Sequence, residues 1–136
     1  MNHSYKEILL LCKYLKNTFK MDFVVIGGAA FGIYTQSPIK DLDIVVYDFG
    51  TIDEKEVDRV LVKSADDTLM KIEQFGVEVD LLRPNQEYKQ DNHLIFRIPN
   101  KFNNVEEVNG IKIISKEDLI KYSKKKDRDK RRLFLK

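Results

Sequence analysis

Near its start the chain carries apolar residues at helical spacing: Ile8, Leu11, Cys12, Leu15 and Phe19 recur every three or four positions and fall on one side of an amphipathic helix. Ser4-Tyr5-Lys6-Glu7 stands ahead of them as a capping box, with a hydroxyl for the first free amides and a carboxylate three residues on. Residues 23–26 are an unbroken apolar run, which reads as a buried strand. Gly27-Gly28 then lets the backbone turn tightly before a short helix over residues 29–34. Residues 42–47 are β-rich, and Asp53 with Glu56 caps a predicted helix carrying Val57, Val60 and Leu61. From Thr68 the period becomes two. Met70 and Ile72 share one side of a strand; after Gly76, residues Val77, Val79 and Leu81 alternate with Glu78 and Asp80, predicting a β-hairpin.

His93–Ile98 is a further strand, ended by Pro99 and a polar loop through Asn104. Val105–Val108 and Ile111–Ile114 flank Asn109-Gly110, a strong type I′ hairpin signal, and extend the sheet at an edge. Ser115 caps a last helix containing Leu119, Ile120 and Tyr122, which dissolves into a basic tail with Leu133, Phe134 and Leu135 near its end. The expected fold is α/β in the α+β sense, a mixed sheet flanked by helices. It forms a single domain over residues 1–136, with a basic C-terminal helix or tail from about residue 115.

A chain of 136 residues can bury one hydrophobic core, so the same domain must carry any site. The single cysteine, Cys12, excludes an internal disulfide and sits on the apolar side of the first helical pattern, as a structural thiol. No apolar run is long enough to cross a bilayer and the N-terminus has no export signal, so a cytoplasmic location without membrane contact is expected. The formal charge of +2 hides a net +6 over residues 116–136 and −4 elsewhere. Such a tail is either a solvated helix face or a footprint for phosphates, and RNA is its candidate partner.

The chemistry gathers around the glycine turn. Asp41 and Asp43 follow it, two apart, on one face of the predicted strand. Carboxylates held side by side repel unless a divalent cation lies between them. Asp80 completes a three-carboxylate site if its strand lies beside that of Asp43. Glu78 shares its face, but the more apolar surroundings of Asp80 favour it. Lys40 adjoins the first carboxylate and is placed to screen phosphate charge. His3 and His93 are too isolated for a metal cluster and read as surface or edge residues. Among the aromatic residues, Tyr88 and Phe102 stand out because they fall in polar loops.

In these elements the chain resembles the nucleotidyltransferase superfamily related to DNA polymerase β. An apolar strand leads to Ile26-Gly27-Gly28, a short helix to Asp41-Leu42-Asp43-Ile44, and a later strand to Val79-Asp80-Leu81. The match covers roughly residues 20 to 85 and looks closest to the small stand-alone members, including minimal nucleotidyltransferases and the catalytic halves of toxin–antitoxin pairs. Ser115-Lys-Glu-Asp-Leu-Ile with Lys126-Asp127-Arg128-Asp129 also looks like the C-terminal helix of the toxin-related members, with a shortened spacer.

The resemblance implies a palm-like fold in which Gly27 and Gly28 hold the triphosphate of an NTP through backbone amides. It implies that Asp41 and Asp43 bind two Mg²⁺ ions, and that Asp80 binds one of them beside an acceptor hydroxyl. The implied reaction moves an NMP, AMP first among them, onto a protein, RNA or small molecule. The alternative is a weak or inactive module that binds nucleotide or RNA, or one half of a toxin–antitoxin complex. A cognate protein or a second copy of the chain is the implied partner. The chain departs from the pattern at Ala29, where many relatives carry a hydroxyl. It departs again at Ser37 and Ile39, where toxin-related members carry Arg and Thr. Thr35 and Ser37 are the nearby hydroxyls that could compensate.

Overall fold

The computed structural model describes residues 2–51, 62–63, 70–74, 76–90, 93–123 and 125–135. The predicted helix at Asp53 and Glu56 lies outside them. The first helix, α1 (Tyr5–Phe19), begins where the capping box places it: the Glu7 amide donates to Ser4 Oγ at 3.2 Å. Ile8, Leu11, Cys12 and Leu15 are buried along it, and burial pushes the Cys12 thiol up to about 12, consistent with a structural role. β1 (Asp22–Ile26) follows, with every residue after Asp22 buried; a strand covered on both faces needs an unbroken apolar run. It leads directly into α2 (Gly27–Thr35), and the chain returns as β2 (Leu42–Asp48).

After β3 (Val62–Lys63), the period-two region forms β4 (Met70–Gln74) and β5 (Val77–Leu82), paired antiparallel through the turn at Gly76. β6 (Gln86–Gln90) and β7 (His93–Ile98) form a separate two-stranded ribbon. Tyr88 therefore belongs to a strand rather than a polar loop. The Asn109-Gly110 turn, with both residues at positive φ, joins β8 (Val105–Val108) to β9 (Ile111–Ile114).

Among the described residues the main sheet has seven strands in the order β3-β4-β5-β2-β1-β9-β8. The pairs β2·β5 and β1·β9 are parallel and the others antiparallel, so the fold is the expected mixed sheet with helices. α2 packs against β1 and β2, and α1 against α2 and β9. The core runs through Ile8, Leu15, Val25, Ile44, Val45 and Ile113. Gly32 permits the close seating of α2: a Cβ there would lie 2.3 Å from Ile39 Cγ1. Ile39, one of the departures from the family pattern, is thus a core residue filling the space over Gly32.

Two expectations are corrected at the chain ends. His3 is buried, because its backbone pairs with Ile39 (N–H to O distances of 2.7 and 2.8 Å) and carries the side chain inward; its ring faces Glu7 at 3.6 Å. The tail does not dissolve after α3 (Lys116–Lys121). It continues as α4 (Lys125–Phe134), which folds back on α3 and sets Phe134 edge-on to Phe31 at 6.1 Å. No helix among the described residues is long and apolar enough to cross a membrane.

Candidate active site

Backbone pairing builds the floor of a cleft of about 390 Å³. Ile26, the last residue of β1, pairs with Asp43 on β2, and Asp43 pairs in turn with Asp80 on the parallel neighbour β5. Residues opposite one another in a ladder point to the same face of a sheet, so register alone sets the two carboxylates side by side. Both line the cleft, and Glu78, the rival of Asp80, is absent from its lining. Asp80 Oδ1 is shielded from solvent.

The glycine turn forms the adjoining rim. Gly27 has φ +63°, and a Cβ on it would come within 2.9 Å of Asp43 Oδ2, so both the turn and the approach to the carboxylate require glycine. Gly28 is exposed, and a Cβ there would meet no atom within 4 Å. The space beside it is open to a ligand. α2 starts here with Ile26 at its N-cap, no capping side chain and no acidic residue in its first turn. Its first amides and the positive end of its dipole therefore suit an anion such as a phosphate.

Asp41 stands differently from its partner two residues on. It lies one residue before β2, half-buried, and is not part of the cleft lining. β1 ends at Ile26, opposite Asp43, where the chain turns into α2. The β1 ladder that orients Asp43 therefore does not extend to Asp41. Lys40 is exposed and also outside the lining. Among the described residues, no group of three or more His, Cys, Asp or Glu side chains is arranged to hold a metal ion. Asp43 and Asp80 by themselves fit one hard divalent cation: two adjacent carboxylates, partly sheltered, whose mutual repulsion a cation would relieve.

The C-terminal helices supply a further part of the lining. Leu119, Tyr122 and Ser123 line the cleft with Phe102, which is buried and meets Tyr122 edge-on at 5.7 Å. Phe102 is thus wall and core at once. Asp127 and Arg131 reach the same cleft from α4. An Arg131 Nη1–H group donates to Ser123 Oγ, whose own hydroxyl donates to the Leu119 carbonyl. Burial pushes the Arg131 pKa down, while the carboxylates of Asp127 and Asp43 hold it up. The guanidinium remains charged at neutral pH.

Arg131 was not singled out in the sequence. Its faint signal is the spacing Asp127-x-x-x-Arg131, one helical turn, inside a segment otherwise marked only by net charge. The hydroxyls of Thr35 and Ser37 do not supply the missing contacts. Thr35 Oγ1 lies 2.8 Å from the Phe31 carbonyl and 2.6 Å from Ser37 Oγ, so the pair closes the far end of α2. Tyr34 ties α2 to the β8–β9 hairpin by donating toward Glu106 and the Ile114 carbonyl at 2.5 and 2.6 Å.

Comparison with solved structures finds a provisionally assigned nucleotidyltransferase from Thermotoga maritima, with 19% identity and a TM-score of 0.54 over 86% of this chain and 81% of that one. The fold is nucleotidyltransferase-like. An antigenic nucleotidyltransferase-like protein from Paracoccidioides brasiliensis also aligns, with 14% identity and a TM-score of 0.43 over 88% of this chain and 66% of that one. No protein-family model and no curated protein matches the chain. In this fold the Asp43–Asp80 pair stands near the start of the ladder between β2 and β5, and the glycine turn lines the same cleft.

Proposed function

We propose that the protein is a Mg²⁺-dependent nucleotidyltransferase that moves an NMP, AMP in the first instance, from an NTP to a hydroxyl acceptor. The observation that carries this reading is the register Asp43↔Asp80 on adjacent parallel strands, opening beside Gly27 and Gly28 into one cleft. Within the proposal Asp43 and Asp80 are the metal ligands of the cleft, and Asp41 is the third. Bound Mg²⁺ would supply acidity to the attacking hydroxyl and charge neutralisation to the pyrophosphate leaving group.

The chain's own residues do the rest. The open side of Gly28 and the uncapped amides of α2 receive the triphosphate. Phe102 and Tyr122 present an apolar wall to the remainder of the nucleotide. Asp80 accepts the acceptor's proton as its oxygen bonds to the α-phosphorus and the bond from that phosphorus to the bridging oxygen breaks, releasing pyrophosphate. Positioning and electrostatics therefore account for the catalysis. Lys130 and Arg132, exposed on α4, form a charged surface for an RNA acceptor or a protein partner.

The test is incubation with Mg²⁺ and α-labelled NTPs, followed by a search for label on the protein itself, on a co-purified partner and on bulk tRNA. Transfer that depends on Mg²⁺ and disappears in Asp80→Asn is the expected result. Absence of label on every acceptor, together with absence of metal-dependent NTP binding, defeats the proposal.

A further inference from the structure

A separate groove of about 420 Å³ lies between the two C-terminal helices, lined by Glu117, Ile120 and Lys121 of α3 and by Arg128 and Arg132 of α4. None of these residues lines the carboxylate cleft. Among the described lining residues three are cations, one is an acid and Ile120 alone is apolar. Arg128 and Arg132 stand four positions apart on one helix, so their side chains share a face with Cβ atoms about 5–6 Å apart. That separation is close to the spacing of successive phosphates along a nucleic-acid strand. Asp127 and Arg131, which α4 lends to the cleft, each precede one of these arginines and lie about 100° around the helix. Groove and cleft therefore occupy neighbouring faces of α4. Ser123 joins them: its Oγ accepts from Arg131, and its carbonyl accepts from Arg128 Nη2–H at 3.3 Å.

The guanidinium of Arg128 has donors to spare. One N–H is spent on Ser123, while its Nε–H is shielded from solvent and has no hydrogen-bond partner among the described residues. A shielded donor without an acceptor is costly, and an oxyanion is the acceptor that a cationic groove draws. A protein partner would be expected to bury an apolar or aromatic anchor at the centre of its contact, and a groove with one apolar residue offers little to receive it. A polyphosphate chain needs no such anchor, because release of its condensed counter-ions drives the binding. We propose that the α3–α4 groove is an exosite that holds a nucleic-acid strand by its backbone phosphates, with Lys121, Arg128 and Arg132 as the contacts. No aromatic side chain lines the groove among the described residues, so the bases have no stacking platform and the strand is held without regard to sequence.

The site is independent of the nucleotidyltransferase reading, and its test contains neither metal nor NTP. The full-length protein is titrated against a fluorescein-labelled oligouridine RNA of about 20 nucleotides, followed by anisotropy between about 50 and 200 mM KCl. Arg128→Gln with Arg132→Gln should weaken binding roughly tenfold and reduce the salt slope by about 1 to 2, the share of two phosphates. Arg132→Gln alone, at an exposed position, should carry part of that loss with an unchanged thermal melting curve. Lys6→Gln with Lys13→Gln removes the same charge from exposed positions on α1 and should change affinity less than about twofold. A DNA strand of matched length should bind about as well as the RNA, since the phosphates are common to both.

Equal losses in the α1 and α4 double variants overturn the exosite, because net charge alone would then explain the binding. Wild-type affinity in both groove variants overturns it too, as does a wild type that binds neither strand. Competition by polyglutamate as effective as that of unlabelled RNA would assign the groove to an acidic protein instead. A preference above about tenfold for one kind of strand would mean that the sugar is read, and would defeat recognition by backbone phosphates alone. Each of these failures leaves the nucleotidyltransferase reading standing.

Discussion

Asp43 and Arg131 border the same cleft, yet different kinds of bond hold them there. Asp43 lies between β1 and β5 in continuous backbone ladders, so its position follows from the pairing of whole strands. Arg131 stands on a helix whose described side-chain contacts include Ser123 Oγ on its own guanidinium, the Ser123 carbonyl on Arg128 at 3.3 Å, and Phe134 on Phe31. The ladders fix the Asp43 carboxylate through the backbone, beside that of Asp80. Single side-chain contacts, by contrast, place the Arg131 guanidinium.

The sharpest way to break this comparison is at the rigid half. Asp43→Asn and Asp80→Asn should each lower NMP transfer by at least about 100-fold, measured as label incorporated per minute at saturating Mg²⁺. Retained activity in either would show that the in-register pair is not the metal site.

The glycine turn should show a graded effect. Gly27→Ala should destabilise the fold by about 1 to 3 kcal/mol in urea denaturation, because it places a side chain at φ +63° and presses a methyl against Asp43 Oδ2. Gly28→Ala meets no protein atom and should stay within about 0.5 kcal/mol of wild type. Its nucleotide affinity should nevertheless fall about tenfold, since the methyl points into the space a phosphate would use. Wild-type affinity in Gly28→Ala would move the phosphates away from the turn. Smallest of all, Lys40→Ala should change nucleotide affinity less than about twofold in the same titration, because an exposed lysine outside the cleft acts through screened charge.

Much of the fold was legible because its signals are local. Ser4 and Ser115 cap α1 and α3 as a hydroxyl before a helical pattern should. Asn109-Gly110 makes its hairpin because both residues tolerate positive φ. The alternation at residues 77–82 appears as a strand with Val77, Val79 and Leu81 buried. The ribbon of β6 and β7 was only half legible: residues 86–90 are too polar to read as a strand, and their pairing comes from β7 beside them. For α4 the sequence leaves helix and tail both open, because the segment is dominated by charge; contact with α3 and Phe31 contributes to its placement as a helix. His3 was misjudged because nothing near it in sequence announces the pairing with Ile39.

In the site, the same division separates residues two positions apart. The spacing of Asp41 and Asp43 suggested one shared face; the structure sets Asp43 in the β1 and β5 ladders and in the cleft lining, while Asp41 lies one residue before β2, where the β1 ladder has already ended. Sequence by itself determined the glycine turn, the identity of the carboxylates and the strands that carry them, because glycine tolerance of positive φ and the alternation of side chains are properties of short segments. Tertiary structure decided that Asp80 stands opposite Asp43 and that Arg131, from the far end of the chain, lines the same cleft as the pair. Those outcomes depend on strand register and helix docking between segments distant along the chain, which no local pattern encodes.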